Sequence, residues 1–250
     1  MRARELRRFG IGLVLTTLAL YLAVLAGLFV LQRSLMYFPN PAYEQPDRTA
    51  FPTEEVKLHT SDGQTLVAWY LPPKPGKPVI LHFFGNGAGL GLEKWRWQRI
   101  GQAGVGFLAV AYRGYSGSTG SPTEDGLHID ARTGYDWLAK RHPASDIVIY
   151  GHSLGTGLAV KLAAERPARA LILEAPFSAA VDRAAEQYPW VPVKLLMRDQ
   201  FLSRRWIKQV HAPVLIVHGD HDSVIPFEEG QRLYREANSP KEFVQMIGSD

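Results

Sequence analysis

One serine stands where a nucleophile would be expected. Ser153 is the centre of the pentapeptide Gly151–Gly155 (GHSLG), which follows an apolar, strand-like run and precedes a helical stretch rich in Ala and Leu. A Gly-x-Ser-x-Gly turn between strand and helix presents the serine hydroxyl for attack on a carbonyl carbon. The helix start favours a developing negative charge, and the backbone N–H of Leu154 is the natural donor to it. His152 is adjacent to Ser153 and lacks the reach of a base, so we expect it to shape the pocket.

A second glycine-rich loop, residues 85–89 (GNGAG), follows the apolar run Val79–Phe84. Such a loop could hold a phosphate, but the Gly-x-Gly-x-x-Gly spacing of a dinucleotide site and the lysine of a Walker loop are absent. A loop that binds an oxyanion fits better. The backbone N–H of Asn86 would then be the second donor beside that of Leu154.

A loop with three acidic or imidazole side chains in a row, residues 219–226 (GDHDSVIP), follows the strand-like run Val214–His218. Ligands of open α/β sheets bind at the carboxyl ends of strands, and Asp222 could orient a histidine there. The alternative is a metal site made by His218, Asp220, His221 and Asp222. Consecutive side chains diverge in an extended loop, which makes that alternative weaker. We expect neither a metal nor a cofactor.

These loops need a scaffold, and the apolar pattern predicts one. After a β-hairpin around residues 61–64, short apolar runs alternate with helical stretches. Runs without a polar face are typical of strands buried in a parallel sheet, and the alternation predicts one doubly wound, mostly parallel α/β domain over residues 55–250. Within it, the interruption at 177–210 predicts a short cap insertion.

The N-terminus predicts a membrane anchor. Residues 9–31 contain no charged side chain and as a helix would span about 34 Å, enough for a hydrocarbon core of about 30 Å. A cleaved signal peptide is the alternative, although its apolar region is normally shorter. Four arginines precede the span within residues 1–8. They predict a cytoplasmic tail, with the connector 32–54 and the domain on the opposite, periplasmic or extracytoplasmic, side.

Composition excludes several classes of protein. The chain of 250 residues is 46% hydrophobic and 21% charged, which excludes disorder, and it has no cysteine, which excludes disulfides and a cysteine nucleophile. Residues 1–31 contribute +3 of the net charge of +4. Because the remainder is almost neutral, a nucleic-acid partner is not expected.

Together these features resemble the α/β-hydrolase superfamily, and within it a membrane-anchored bud-emergence-type branch that includes abhydrolase-domain proteins able to remove fatty acyl groups. The resemblance covers nearly the whole chain, including residues 32–39 (QRSLMYFP) after the span and residues 112–124 (YRGYSGSTGSPTE). It implies a serine hydrolase with Ser153 as nucleophile, Asp222 as triad acid, and the N–H groups of Asn86 and Leu154 as the oxyanion hole.

Two departures from the family pattern stand out. Phe84 occupies the position where the family's oxyanion loop has a histidine, which changes the shape of the pocket more than its backbone donors. In this fold the triad histidine follows the last strand, but every histidine here lies at or before His221. We therefore expect the base and a closing helix just beyond Asp250, and an incomplete triad in the 250-residue form.

The resulting prediction is a single-pass membrane hydrolase (esterase, thioesterase or aminopeptidase-like) that forms an acyl-enzyme on Ser153. Its substrate would be a small molecule carrying an ester, thioester or amide, and an acylated, lipid-like compound suits the anchor. The alternative is a non-catalytic α/β-hydrolase scaffold that binds a lipid or a partner protein.

Overall fold

The structure is a computed structural model and describes residues 2–46, 48–49 and 51–249. It begins with a long helix, α1 (Arg2–Met36). Among the described residues, this is the one helix long and apolar enough to cross a membrane, and no residue of its most apolar 18-residue window is buried. The exposed apolar surface makes α1 a candidate membrane span.

One sheet of eight strands forms the scaffold of the domain, in the order β1-β2-β4-β3-β5-β6-β7-β8. Strand β2 is antiparallel to β1 and β4, and the remaining neighbours are parallel. The strands are β1 (Glu54–His59), β2 (Thr65–Leu71), β3 (Val79–Phe83), β4 (Gly106–Val110), β5 (Ile147–His152), β6 (Ala170–Glu174), β7 (Val214–Gly219) and β8 (Lys241–Met246). The mostly parallel sheet predicted from the sequence is confirmed.

Helices connect most of these strands, as predicted. They are α2 (Lys94–Gln102), α3 (Glu124–Ala139), α4 (Leu154–Glu165) and α8 (Phe227–Glu236). Helix α3 begins at Glu124 because Thr123 caps it. The Thr123 Oγ1 atom accepts a hydrogen bond from the N–H of Gly126 at 3.1 Å, which stabilises a first turn that the apolar spacing does not mark.

Residues 177–210, between β6 and β7, contain three short helices: α5 (Ala180–Gln187), α6 (Val193–Leu196) and α7 (Ser203–Trp206). We call residues 177–210 the cap. A small apolar cluster of its own, separate from the main core, includes Ala179, Val181 and Val193.

The cap lies against the second half of α1. The Tyr21 hydroxyl donates to the carbonyl oxygen of Trp190 at 2.9 Å, and the Arg198 N–H donates to the Gln32 side-chain oxygen at 2.8 Å. Where α1 ends, the buried carboxylate of Asp199 accepts hydrogen bonds from Arg33 Nε at 3.0 Å and from the Tyr37 hydroxyl at 3.0 Å. These contacts fix the end of α1 to the cap.

Candidate active site

Ser153 lies at a sharp turn between β5 and α4. Its backbone angles, φ 50° and ψ −117°, fall in a region that costs about 1–3 kcal/mol for a residue other than glycine. Close packing around the turn requires the flanking glycines. A Cβ on Gly155 would lie 2.1 Å from the carbonyl oxygen of Phe83, and a Cβ on Gly151 would lie 2.5 Å from the carbonyl oxygen of Gly155. The turn therefore has the strained geometry of a nucleophile elbow.

Two backbone N–H groups near the elbow are candidates to bind an oxyanion. Leu154 is the first residue of α4, so its N–H has no acceptor within the helix. The loop after β3 passes close by, since a Cβ on Gly85 would lie 3.3 Å from the Cβ of Ser153. Within the described part of the chain, neither the Leu154 N–H nor the Asn86 N–H donates to a protein atom. Both are thus available to a developing negative charge.

The Asn86 side chain has a second role that the sequence did not indicate. Its Nδ2 donates to the carbonyl oxygen of Met36 at 2.7 Å, and its Oδ1 accepts from the N–H of Phe38 and the hydroxyl of Tyr115, both at 2.9 Å. The loop that carries the candidate oxyanion donor is therefore held directly to the end of α1. Asparagine is a common turn residue, so nothing in the sequence distinguished this clamp from ordinary turn chemistry.

Asp222 occupies a loop that holds its carboxylate firmly. Its Oδ1 accepts hydrogen bonds from the N–H groups of Val224 and Ile225, at 2.8 Å and 2.7 Å, and its side chain is 10% exposed. Asp220 is used differently, since its Oδ2 accepts from the Gln245 side chain and its Oδ1 from the N–H of Gly248. The other oxygen of Asp222, Oδ2, lies 3.5 Å from Nε2 of His218.

A family model described as serine aminopeptidase, S33, matches residues 79–209, more than half of the chain. The chain belongs to this family. Membership places it in the α/β-hydrolase superfamily, as the sequence resemblance implied. The matched range includes the elbow at Ser153 and the loop at Asn86.

Individual relatives agree with the family assignment. An uncharacterised protein of Mycobacterium tuberculosis is 35% identical over 222 residues, which is 87% of this chain and 79% of that protein. The lysophosphatidylserine lipase ABHD12 of Xenopus tropicalis is 32% identical over 177 residues, and the match covers 63% of this chain and 46% of that lipase. The chain therefore spans about half the length of this lipase.

Solved structures show the same fold. The Pyrococcus furiosus esterase Pf2001 superposes with a TM-score of 0.66 at 17% identity, covering 84% of this chain and 87% of the esterase. An α/β hydrolase of Vibrio vulnificus superposes with a TM-score of 0.63 at 25% identity, covering 78% of this chain and 73% of its own. At such identities the likeness concerns the arrangement of the sheet and its helices.

In this family member, a cluster of charged and aromatic side chains lies beside the elbow. Arg96 donates to Glu93 Oε2 and to Glu174 Oε2, both at 2.9 Å, and it also contacts the Tyr150 hydroxyl. Burial raises the pKa of Glu93. Burial also opposes ionisation of Glu174, but Arg96 and Tyr150 outweigh it and leave its pKa lowered. The sequence analysis missed this cluster, although the place of Glu174 at the carboxyl end of β6 was a usable signal.

His152 connects this cluster to the elbow. Its Nδ1 lies 4.0 Å from Glu93 Oε1 and has no hydrogen-bond partner among the described residues. Burial lowers the pKa of His152, while the charges of Glu174 and Asp222 partly offset that effect. A neutral imidazole therefore lines the site near neutral pH, and Asp222 acts electrostatically on the residue next to the nucleophile.

The two histidines of the acid loop point in different directions. His218 is buried, with its Nε2 2.8 Å from the carbonyl oxygen of Ile225, whereas His221 is exposed, with its Nδ1 2.8 Å from Asp220 Oδ1. The described residues form no group of three or more His, Cys, Asp or Glu side chains placed to hold a metal ion. In the same part of the chain, no histidine nitrogen is hydrogen-bonded to the Ser153 hydroxyl.

Proposed function

We propose that the protein is a membrane-anchored serine hydrolase that cleaves acyl esters through a covalent acyl-enzyme on Ser153. The supporting observation is the elbow itself. The unpaired N–H of Leu154 follows a strained serine at a strand-to-helix turn, and the loop that carries the unpaired N–H of Asn86 passes close to this serine. Backbone strain of this kind persists where the surrounding structure enforces it, and it is concentrated at functional sites.

In the proposed mechanism, a base takes the proton of the Ser153 hydroxyl while its oxygen attacks the carbonyl carbon. The negative charge moves to the carbonyl oxygen and is stabilised by the N–H groups of Leu154 and Asn86. Collapse of this intermediate expels the alcohol, which receives the proton from the base. Water, deprotonated by the same base, then releases the acid and restores the serine.

Asp222 is the proposed acid that orients the base. The turn after β8 lies beside its loop, because the His221 N–H donates to the carbonyl oxygen of Ser249 at 3.0 Å. A histidine supplied by residues that follow this turn would approach Asp222 from that side. The location of the base beyond Asp250 stays a prediction.

A lipid-like substrate is proposed because the site and the candidate membrane span adjoin. The clamp between Asn86 and the carbonyl oxygen of Met36 places the oxyanion loop at the very end of α1. If α1 crosses a bilayer, with the arginine-rich tail in the cytoplasm, the reacting centre lies near the opposite membrane surface. The relatives that are lysophosphatidylserine lipases by name support an ester of a single acyl chain as the substrate class.

Labelling with a serine-directed fluorophosphonate tests the proposed chemistry. We expect the protein to be labelled and Ser153→Ala to abolish labelling, while Ser121→Ala, at an exposed loop serine, leaves it unchanged. Two forms of the protein distinguish a base beyond Asp250 from an internal base. One is the 250-residue chain, and the other is this chain extended by the histidine turn and closing helix of a relative. Labelling and turnover only in the extended form would support a base beyond Asp250. Ordinary turnover by the 250-residue chain would assign the base to an internal histidine.

Absence of labelling in both forms would contradict the hydrolase function and favour a non-catalytic scaffold. Topology is tested separately by a reporter fused to the C-terminus that is active only outside the cytoplasm. Reporter activity is the expected result, and activity confined to a cytoplasmic reporter would reverse the proposed orientation.

A further inference from the structure

The contact between α1 and the cap extends along the helix axis. Tyr21 contacts Trp190 at one end of it and Gln32 contacts Arg198 at the other. These two helix positions are 11 residues apart, which corresponds to about 16 Å along the axis. The segment of the cap that begins at Trp190 therefore lies beside the half of α1 nearer the domain.

The position of the bilayer along α1 follows from its charges. Arg8 is the last charged residue before the apolar run, and a hydrocarbon core of about 30 Å takes up about 20 helical residues. Counted from Phe9, the core ends near Leu28. Tyr21 then lies about 10 Å inside the hydrocarbon, and the Trp190 carbonyl that it contacts lies at a similar depth.

Exposure along the helix places the membrane at least as far toward the domain as the count by charges does. Val30 and Leu31, which are nearer the domain than Tyr21, are 76% and 54% exposed. A bilayer that covers these two residues must also cover a group level with Tyr21. Were the cap in water, this apolar part of α1 would be in water as well.

The cap surface at this level is suited to lipid. Tyr188, Trp190 and Leu195 are 46%, 52% and 83% exposed, and we call these three residues the cap rim. Their aromatic and aliphatic surfaces gain free energy when they leave water for an apolar environment. Three exposed charged side chains flank the rim in the sequence: Glu186, Lys194 and Arg198. Lys194 is 74% exposed, and the long side chains of Lys194 and Arg198 can extend to the headgroups, while Glu186 is paired with Arg183.

We propose that the cap rim is inserted into the outer leaflet, so that α1 and the cap enter the same membrane side by side. The occupant of this surface is the acyl-chain region of the lipid bilayer. The inference rests on the proposed membrane span. It adds a second membrane contact beside the catalytic domain, through which an acyl chain could reach the cap without crossing water.

Fluorescence quenching in nanodiscs tests this placement with the full chain. The protein has no cysteine, so Leu195→Cys, Val24→Cys and Lys77→Cys can each be labelled at a single site with an environment-sensitive dye. Val24 reports the span itself. Lys77 is an exposed residue of the turn before β3. It lies at the amino ends of the parallel strands, whereas Ser153 lies at their carboxyl ends, and it serves as the matched control.

The expected result is strong quenching of the dyes at 195 and 24 by lipids spin-labelled on the acyl chain, with none at 77. Quenching at 24 but not at 195 would overturn the rim insertion and leave the span intact. Quenching at 195 by headgroup-labelled lipid alone would also overturn it, since the rim would then only touch the surface. Absence of quenching at 24 would contradict the span, whereas hydrolase chemistry is tested independently by labelling of Ser153.

Discussion

The strain at Ser153 predicts that this residue, the proposed nucleophile, lowers the stability of the fold. A glycine adopts φ 50° and ψ −117° without the steric cost that a Cβ imposes. Alanine keeps the Cβ and loses only the hydroxyl. Comparing Ser153→Gly with Ser153→Ala therefore isolates the backbone strain, because both variants lack the Ser153 hydroxyl.

The size of the effect follows from two opposing contributions. Strain at a residue held in such a region costs about 1–3 kcal/mol, and glycine loses about 0.5–1 kcal/mol more backbone entropy on folding than alanine does. The midpoints of these two ranges leave the free energy of unfolding of Ser153→Gly higher than that of Ser153→Ala by about 1 kcal/mol. For a chain of this size that corresponds to a melting temperature higher by about 2–4 °C.

Thermal unfolding of the detergent-solubilised full chain, followed by tryptophan fluorescence, measures this difference. If Ser153 is the nucleophile, as proposed, neither variant should be labelled by a fluorophosphonate. Equal melting temperatures, or a lower one for Ser153→Gly, would refute the claim that the elbow stores strain. A matched pair at Ser121, an exposed loop residue outside the left-handed region, controls for the general effect of glycine. There, Ser121→Gly should not exceed Ser121→Ala in stability.

Three further outcomes are expected. Gly155→Ala forces a Cβ to within 2.1 Å of the Phe83 carbonyl oxygen. The elbow must then shift by about 1 Å, which should lower the rate of fluorophosphonate labelling about 100-fold. An unchanged labelling rate would contradict the close approach of Gly155 to Phe83. Asp199→Ala leaves the buried Tyr37 hydroxyl without its acceptor and should lower the free energy of unfolding, measured in urea, by about 1–3 kcal/mol. Most of this loss should disappear when the same substitution is made in a protein that already carries Tyr37→Phe. Burial lowers the pKa values of His82, His128 and His152. Below about pH 6.5 the unfolded chain therefore binds more protons than the folded chain, and the free energy of unfolding should fall as the pH falls through that value. The variant His128→Gln should reduce the slope of melting temperature against pH, and an unchanged slope would contradict the lowered pKa of His128.

The sequence alone determined the type of fold and most of its elements. Apolar runs without a polar face, separated by helical stretches, are enough to predict a parallel sheet, because strands buried on both sides must be apolar throughout. The Gly-x-Ser-x-Gly pattern located the elbow for a similarly local reason. Its glycines are required by contacts that the turn makes with its immediate neighbours, such as the one between Gly155 and Phe83.

The sequence could not show which distant segments meet at the site. The Asn86 clamp joins residues 50 positions apart, and the contact between Tyr21 and Trp190 joins residues 169 positions apart. The cluster of Glu93, Arg96 and Glu174 likewise joins the start of α2 to the end of β6, 78 positions away from Arg96. Neither propensity nor periodicity describes such pairs, because both act over a few neighbouring residues.

Interactions between residues close together in the sequence are thus enough to predict the strands, the helices and the strained serine. Only the tertiary structure decided that the end of α1 lies against both the oxyanion loop and the cap. Those contacts depend on how the sheet orders its strands and where the insertion after β6 folds back. Hydrogen bonds such as those between Asp199 and Tyr37 exist only once the packed sheet has brought residues 162 positions apart into contact.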